Sequence, residues 1–399
     1  MQFVFLTPEF ITNSPTAGGL ATYLGRLSEC LVNRGYDVNI LVPALDEASE
    51  VNWRGVLVSH VAVCPDIPSG WYKSLGRIWG RINTENIAKT LHNAHALAEA
   101  LESKQYNTQF QVVHGADYGL TTWYVRPRNE RCIVVRASSR SAECRRWWSS
   151  QYRLDHILLS QMELQLFRRA NIAYAPSRKT AEYYEGKSGV PFNVIHPPFP
   201  ISEVTPNAQI NLCIPVRFLL HFGNIDRVKG SDVLAEALRI AWRIEPDLQM
   251  VWAGSDSGNW LSRFRVRWGS SAHRVQWLGP LTRAEVQQVL LRSAGVVAPS
   301  RVDNLPNSVL EAQAAGIPVI GTFGSSIDEI VVDGTTGKLV RPGNPDELAQ
   351  ALVSAWRGES PFHGEAIPLP PVFSEMDPDF AVSRLLESIQ ACRERASAH

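Results

Sequence analysis

At 399 residues the chain is longer than one ordinary hydrophobic core serves, and it suits two domains. Its apolar share of 45% is that of a globular protein, and 39 basic residues balance 39 acidic ones. With no whole-molecule field, nucleic acid is excluded as a bulk partner and any anion site must be local.

The chain opens on Gln2–Leu6, an apolar run one strand long with no basic segment before it, so it reads as a first strand and not a signal peptide. A glycine turn, Ala17-Gly18-Gly19, introduces an amphipathic stretch from Leu20 to Asn33, closed by Gly35. Asp37–Val42 and Val56–Val63 read as strands and Ala88–Glu102 as a helix. Gln111–His114 and Cys132–Arg136 look like buried parallel strands, followed by a helix over Leu158–Arg169 and a strand over Ile172–Ala175. The proline-rich His196-Pro197-Pro198-Phe199-Pro200 is the best hinge.

The alternation then restarts. Strands are expected at Phe218–Phe222, Gln249–Ala253, Val275–Leu278, Gly295–Ala298 and Pro318–Gly321. Helices are expected at Ser231–Arg243, Arg283–Arg292, Ser308–Ala315 and Pro345–Trp356. Pro361–Pro371 is too rich in proline to be regular, and a last helix covers about Pro378–Arg395. This is an α/β chain with two Rossmann-like halves, residues 1–198 joined by 373–399, and residues 199–372. No segment reaches the roughly 18 apolar residues of a membrane span. The six cysteines have no C-x-x-C spacing, which argues against a zinc cage and for buried free thiols. The expectation is a cytoplasmic protein, at most peripheral at the inner face of the membrane.

Three segments carry chemistry. Pro299 to Ala312 runs from a strand into a helix, with Pro306 suited to the first helical turn. The amides of Leu305, Asn307 and Ser308, with the helix dipole behind them, form an anion site. Asp303 and Glu311 flank that turn and could grip hydroxyls on either side of a diphosphate; capping and solvation are the bland alternatives. In His221-Phe222-Gly223-Asn224-Ile225-Asp226-Arg227-Val228-Lys229-Gly230, two cations occupy a strand-to-helix loop and could neutralise a leaving diphosphate. Gly18 and Gly19 let backbone approach a ligand at a helix start, although G-x-G-x-x-G is absent.

Together these segments resemble the retaining glycosyltransferases of family 4, which have the GT-B fold, most specifically from Phe218 to Pro342. The donor-loop likeness covers Asp303-Asn304-Leu305-Pro306-Asn307 through Leu310-Glu311-Ala312, then Gly316-Ile317-Pro318 and Gly334-Thr335-Thr336-Gly337. The resemblance implies that Glu311 binds the donor ribose, Asp303 contacts the transferred sugar and Lys229 binds phosphate. It also implies that Gly18 and Gly19 close over a nucleotide diphosphate-sugar, with Gly223, Asn304, Leu305, Pro306, Asn307 and Ser308 lining the donor site. No metal or cofactor is expected. Asn224 stands where the family commonly has arginine, which leaves Arg227 as a substitute. The usual places of a cleft histidine fall at Ala116 and Ala137, leaving His114, Asp117 and Arg136 as acceptor-side candidates.

Two aromatic-basic clusters, Trp71 to Arg81 and Arg145-Arg146-Trp147-Trp148, could stack on an acceptor, lie at a membrane surface, or pack a core with their cations in water. The acceptor is a glycan, lipid-linked sugar or small molecule. A nucleotide-sugar-binding protein with little transfer, and a dinucleotide-dependent oxidoreductase, are the competing readings.

Overall fold

The computed structural model describes residues 1–13, 18–45, 47–63, 85–103, 111–148, 154–201 and 213–397. The chain divides into two compact units, Met1–Phe199 with Glu375–His399, and Pro200–Ser374.

In the first unit the order is β1 (Gln2–Leu6), α1 (Gly19–Asn33), β2 (Asp37–Ala44), β3 (Ser49–Trp53), β4 (Val56–Ala62) and α2 (Glu85–Ser103). Next come β5 (Gln111–Ala116), β6 (Arg131–Arg136), α3 (Ser141–Trp148), α4 (Leu154–Arg169), β7 (Ile172–Ala175), α5 (Arg178–Ser188) and β8 (Asn193–Val194). The sheet order is β3-β4-β2-β1-β5-β6-β7-β8, parallel except for the antiparallel edge pair β3–β4. Its strands β1, β5, β6 and β7 are buried on both faces, as parallel sheets require. Phe3 and Phe5 of β1 pack with Leu24, Leu27 and Leu31 of α1 on one face. Val4 and Leu6 pack with Leu97 and Leu101 of α2 and Phe167 of α4 on the other.

The second unit contains β9 (Leu219–Phe222), α6 (Ser231–Ala241), β10 (Met250–Ala253), α7 (Trp260–Trp268), β11 (Val275–Trp277) and α8 (Arg283–Leu291). It continues with β12 (Gly295–Val297), α9 (Asn307–Ala314), β13 (Val319–Thr322), β14 (Gly337–Val340) and α10 (Pro345–Arg357). The order β11-β10-β9-β12-β13-β14 is parallel throughout. Local chemistry sets the helix ends. Thr282 and Glu285 form a reciprocal capping box on α8, and Asn344 caps α10 with Pro345 at its first position. The last helix, α11 (Pro378–Ser397), belongs to the first unit, where Val382, Leu385 and Ile389 join the β1–α1 core.

Six elements escaped the sequence patterns: β3, α3, α5, β8, α7 and β14. The helix α7 carries three arginines among its apolar residues, and only Leu261, Phe264 and Trp268 are buried. That stripe is one narrow face of a nine-residue helix, so the apolar periodicity is faint. Cys213 is exposed, against the expectation of buried thiols, whereas Cys132, Cys144 and Cys392 are buried. Among the described residues no helix is long and apolar enough to cross a membrane.

Candidate active site

In the second unit β9 is central, with β10 on one side and β12 on the other. The chain reverses direction of growth there, and such switch points open a crevice at the carboxyl ends of the strands. The loops after β9 and β12 meet at it. Lys229, from the first loop, donates through Nζ to Oδ2 of Asp303 in the second at 2.8 Å, although 74 residues separate them. Ser300 Oγ donates to the same oxygen at 2.9 Å, and the Asn304 amide donates to Oδ1 at 3.0 Å. Asp303 is thus held by three donors, with a side chain only 9% exposed against 30% for Lys229.

Backbone fit brings the two loops this close. Gly230 has φ +71, and a Cβ there would stand 2.0 Å from the carbonyl oxygen of Pro299. Only glycine allows that approach. Arg301, which the sequence did not single out, ties the loops again by pairing with Asp232 and donating to the Arg227 carbonyl at 2.7 Å. Arg227 is exposed, with its guanidinium 5.5 Å from the centre of the Trp260 ring. Asn224 is exposed beside it. Gly223 has φ +137, and its carbonyl oxygen would lie 1.9 Å from a Cβ on Gly254.

At the second loop Leu305 takes φ +49. Pro306 is not in the first helical turn, as the sequence suggested. It is the extended residue before α9, with φ −63 and ψ 130, and its carbonyl accepts from Val309 and Leu310 at 3.0 and 3.1 Å. The left-handed Leu305 swings the chain so that proline serves as the cap, and α9 begins at Asn307. The amides of Asn307 and Ser308 precede those bonded to Pro306 and form the open end of the helix. Glu311 lies one turn further on, half-buried.

In the first unit the glycine turn faces an acid of the same chain. Gly18 caps α1, and the Glu9 carboxylate lies so close that a Cβ on Gly18 would be 2.9 Å from its Oε1. Burial pushes the Glu9 carboxyl up, while a hydrogen bond from the Ala21 amide opposes that shift.

His114 is 3% exposed, with Nε2 2.6 Å from the Tyr174 hydroxyl, which lies 2.6 Å from the Tyr23 hydroxyl. Burial, aided by the Arg136 charge, pushes this imidazole down to about 3. A neutral ring locked in the core is placed for support and not for proton transfer to an acceptor. Asp117 is fully buried and accepts from the amides of Tyr118 and Ser138 and from the Tyr184 hydroxyl. Arg136 is 5% exposed, with its guanidinium 4.0 Å from the centre of the Tyr23 ring.

On α3, Arg145 and Trp147 depart from the core-packing alternative, while Arg146 is exposed as that alternative expected. Arg145 is buried and pairs with both oxygens of Glu163 at 2.9 and 2.6 Å, whereas Trp147 is 40% exposed. Burial pushes Glu163 up to about 7, and the arginine opposes it. The cluster Trp71 to Arg81 and the side chain of Trp148 lie outside the described residues. Among the described residues no group of three or more His, Cys, Asp or Glu could hold a metal ion.

The profile described as Glycosyl transferases group 1 matches residues 217–357, and that of the Glycosyl transferase 4-like domain matches residues 18–198. This chain belongs to the glycosyl transferases of group 1. The activity that comes with membership is glycosyl transfer from a nucleotide-sugar donor.

Among the relatives of this glycosyltransferase, the D-inositol 3-phosphate glycosyltransferase of Nocardiopsis dassonvillei is 25% identical over 417 aligned positions, covering 94% of this chain and 90% of that one. That of Corynebacterium diphtheriae is 25% identical and covers 85% and 82%. Among solved structures, sucrose-phosphate synthase from Thermosynechococcus elongatus superposes with a TM-score of 0.69 at 19% identity, covering 100% and 94%. Anabaena Alr3699/HepE in complex with UDP and glucose gives 0.64 at 16%, covering 98% and 100%. These likenesses give the glycosyltransferase the GT-B fold.

Proposed function

We propose that this glycosyltransferase transfers its sugar to an acceptor hydroxyl with retention of anomeric configuration, and that the crevice between the β9 and β12 loops is its donor site. The observation that carries the reading is the Lys229–Asp303 contact of 2.8 Å set against the open start of α9. An ammonium and unpaired helix amides together suit a diphosphate, and the acid beside them suits a sugar hydroxyl.

In this reading Lys229, the exposed Arg227 and the amides of Asn307 and Ser308 stabilise the departing diphosphate. Gly223 and Leu305 shape the backbone around it, and Glu311 holds the ribose. The bond between the anomeric carbon and the phosphate oxygen breaks, a bond to the acceptor oxygen forms on the same face, and the acceptor proton goes to the departing phosphate oxygen. Asp303 is held by Lys229, Ser300 and the Asn304 amide, which supports positioning over nucleophilic attack. These cations and amides already meet the charge of the leaving group, so the reading needs no resident metal or cofactor. The first unit receives the acceptor.

The test is calorimetric titration of UDP, GDP and ADP with excess chelator, then proton NMR of the product made from the bound donor. Nanomolar to micromolar binding of one nucleotide and a retained anomeric coupling are expected. Binding that requires a divalent metal, or an inverted product, would overturn the reading.

A further inference from the structure

The first unit buries several arginines, and three of them are held by carboxylates. Arg131 pairs with Glu102, Arg140 with Glu143, and Arg145 with Glu163. Arg136 is as buried as these, at 5% exposure, yet among the described residues no carboxylate pairs with it; its Nε, like those of Arg140 and Arg145, is buried without a hydrogen-bond partner. The Asp117 carboxylate feels the Arg136 charge, but it is held by two amides and a tyrosine hydroxyl and forms no ion pair with it.

A guanidinium cannot shed its proton, so Arg136 carries its charge into the protein. Taking an ion out of water costs several kcal/mol unless a partner of opposite charge compensates. The Tyr23 ring beneath it returns only part of that. The groups behind the ring add no negative charge. Tyr23 hydrogen-bonds Tyr174, which meets the neutral His114. This chain fixes the ring, and with it the guanidinium, in one orientation.

The location points to a ligand. Arg136 is the last residue of β6, between β5 and β7, on the carboxyl edge of a parallel sheet. That is the edge where open α/β sheets bind their ligands. A planar fork of donors, charged, desolvated and held by a ring, matches the two oxygens of a phosphate or carboxylate.

We propose that Arg136 recognises an oxyanion carried by the acceptor, so that the acceptor of this enzyme is a phosphorylated or acidic hydroxyl compound and not a neutral one. This rests on the reading that the first unit receives the acceptor. The donor diphosphate has its own cations on the second unit, so the two anion sites can be tested apart.

The first measurement is calorimetric titration of inorganic phosphate into Lys229→Ala, which weakens the donor site, at constant ionic strength. Binding should persist there, fall at least about tenfold in Lys229→Ala/Arg136→Gln, and be partly kept with Arg136→Lys. UDP affinity of the single variant Arg136→Gln should equal that of the parent. A merely structural arginine behaves otherwise. Its loss would lower the melting temperature, whereas loss of an uncompensated buried charge should leave the melting temperature in phosphate-free buffer unchanged or higher.

The second measurement is transfer to matched pairs of sugars or polyols with and without a phosphate. The parent should prefer the phosphorylated or acidic members, and Arg136→Gln should lose that preference through KM. Equal phosphate binding in both Lys229→Ala proteins, a melting temperature several degrees lower in Arg136→Gln, or a parent that prefers neutral acceptors would each overturn the proposal. Loss of UDP binding in Glu311→Gln bears only on the donor reading, so the two can fail separately.

Discussion

Each unit sets a cation at the carboxyl edge of its sheet, and the two cations are treated in opposite ways. Lys229 has Asp303 at 2.8 Å and keeps a third of its side chain in water. Arg136 is buried over a ring with no acid paired to it among the described residues. A paired, half-wet lysine can exchange its carboxylate for a phosphate at little cost, because attraction to one anion replaces attraction to another. A buried arginine with no ion pair carries an electrostatic cost that an anionic ligand would relieve. Balance within the chain therefore marks a site that persists by itself, and imbalance marks one completed from outside.

The sharpest check on this contrast is Arg145, which is buried like Arg136 but paired. Arg145→Ala leaves the Glu163 carboxyl buried without its partner, and should lower unfolding stability by about 3–5 kcal/mol in urea titrations. If Arg145→Ala and Arg136→Gln melt alike, pairing is not what separates them.

On the second unit, Lys229→Ala should cut turnover by about a hundredfold, the scale for losing one preorganised charge partner of a developing anion. Steady-state kinetics with saturating donor measures it, and a near-normal rate would shift the role to Arg227. A smaller effect belongs to Glu311. Glu311→Gln keeps the shape but removes the charged acceptor, so donor affinity should fall by about tenfold in calorimetry. Unchanged affinity would remove the ribose from this residue.

The smallest effect is in pH. Burial pushes His114 down to about 3 and His221 to about 4, so both fold as neutral rings. As pH falls below about 6.5 the unfolded chain binds protons first, and stability is lost progressively towards pH 3–4. Glu163, pushed up to about 7, acts oppositely and weakens the fold as pH rises from about 4.5 to 7. The melting temperature of His114→Gln should therefore depend less steeply on pH between 6.5 and 4 than that of the parent. An unaltered slope would mean that the ring already reaches water.

Much of the fold was legible because short apolar runs alternate with amphipathic stretches. Gln2–Leu6 and Ile172–Ala175 are strands at the limits their composition suggested, since a doubly covered parallel strand must be apolar along its length. The short arginine-bearing helices α3 and α7 were not legible, because tertiary burial and not propensity holds them. The loop around Asp303 and Glu311 was readable as an anion site from its strand–turn–helix context, whereas Gly230 and Arg301 were passed over because their partners lie in another loop.

By itself, then, the sequence determined two α/β halves, the positions of most strands along the chain, and a family likeness centred on one loop. Period and composition act over neighbours along the chain, and those suffice for such features. Tertiary structure alone decided that Lys229 meets Asp303, that Arg145 is buried with Glu163 while Trp147 is exposed, and that His114 is sealed in the core. Above all it decided that Arg136 is buried over the Tyr23 ring with no carboxylate paired to it among the described residues. Charge and protonation depend on what lies within a few ångströms in space, and for these residues those neighbours come from distant parts of the chain.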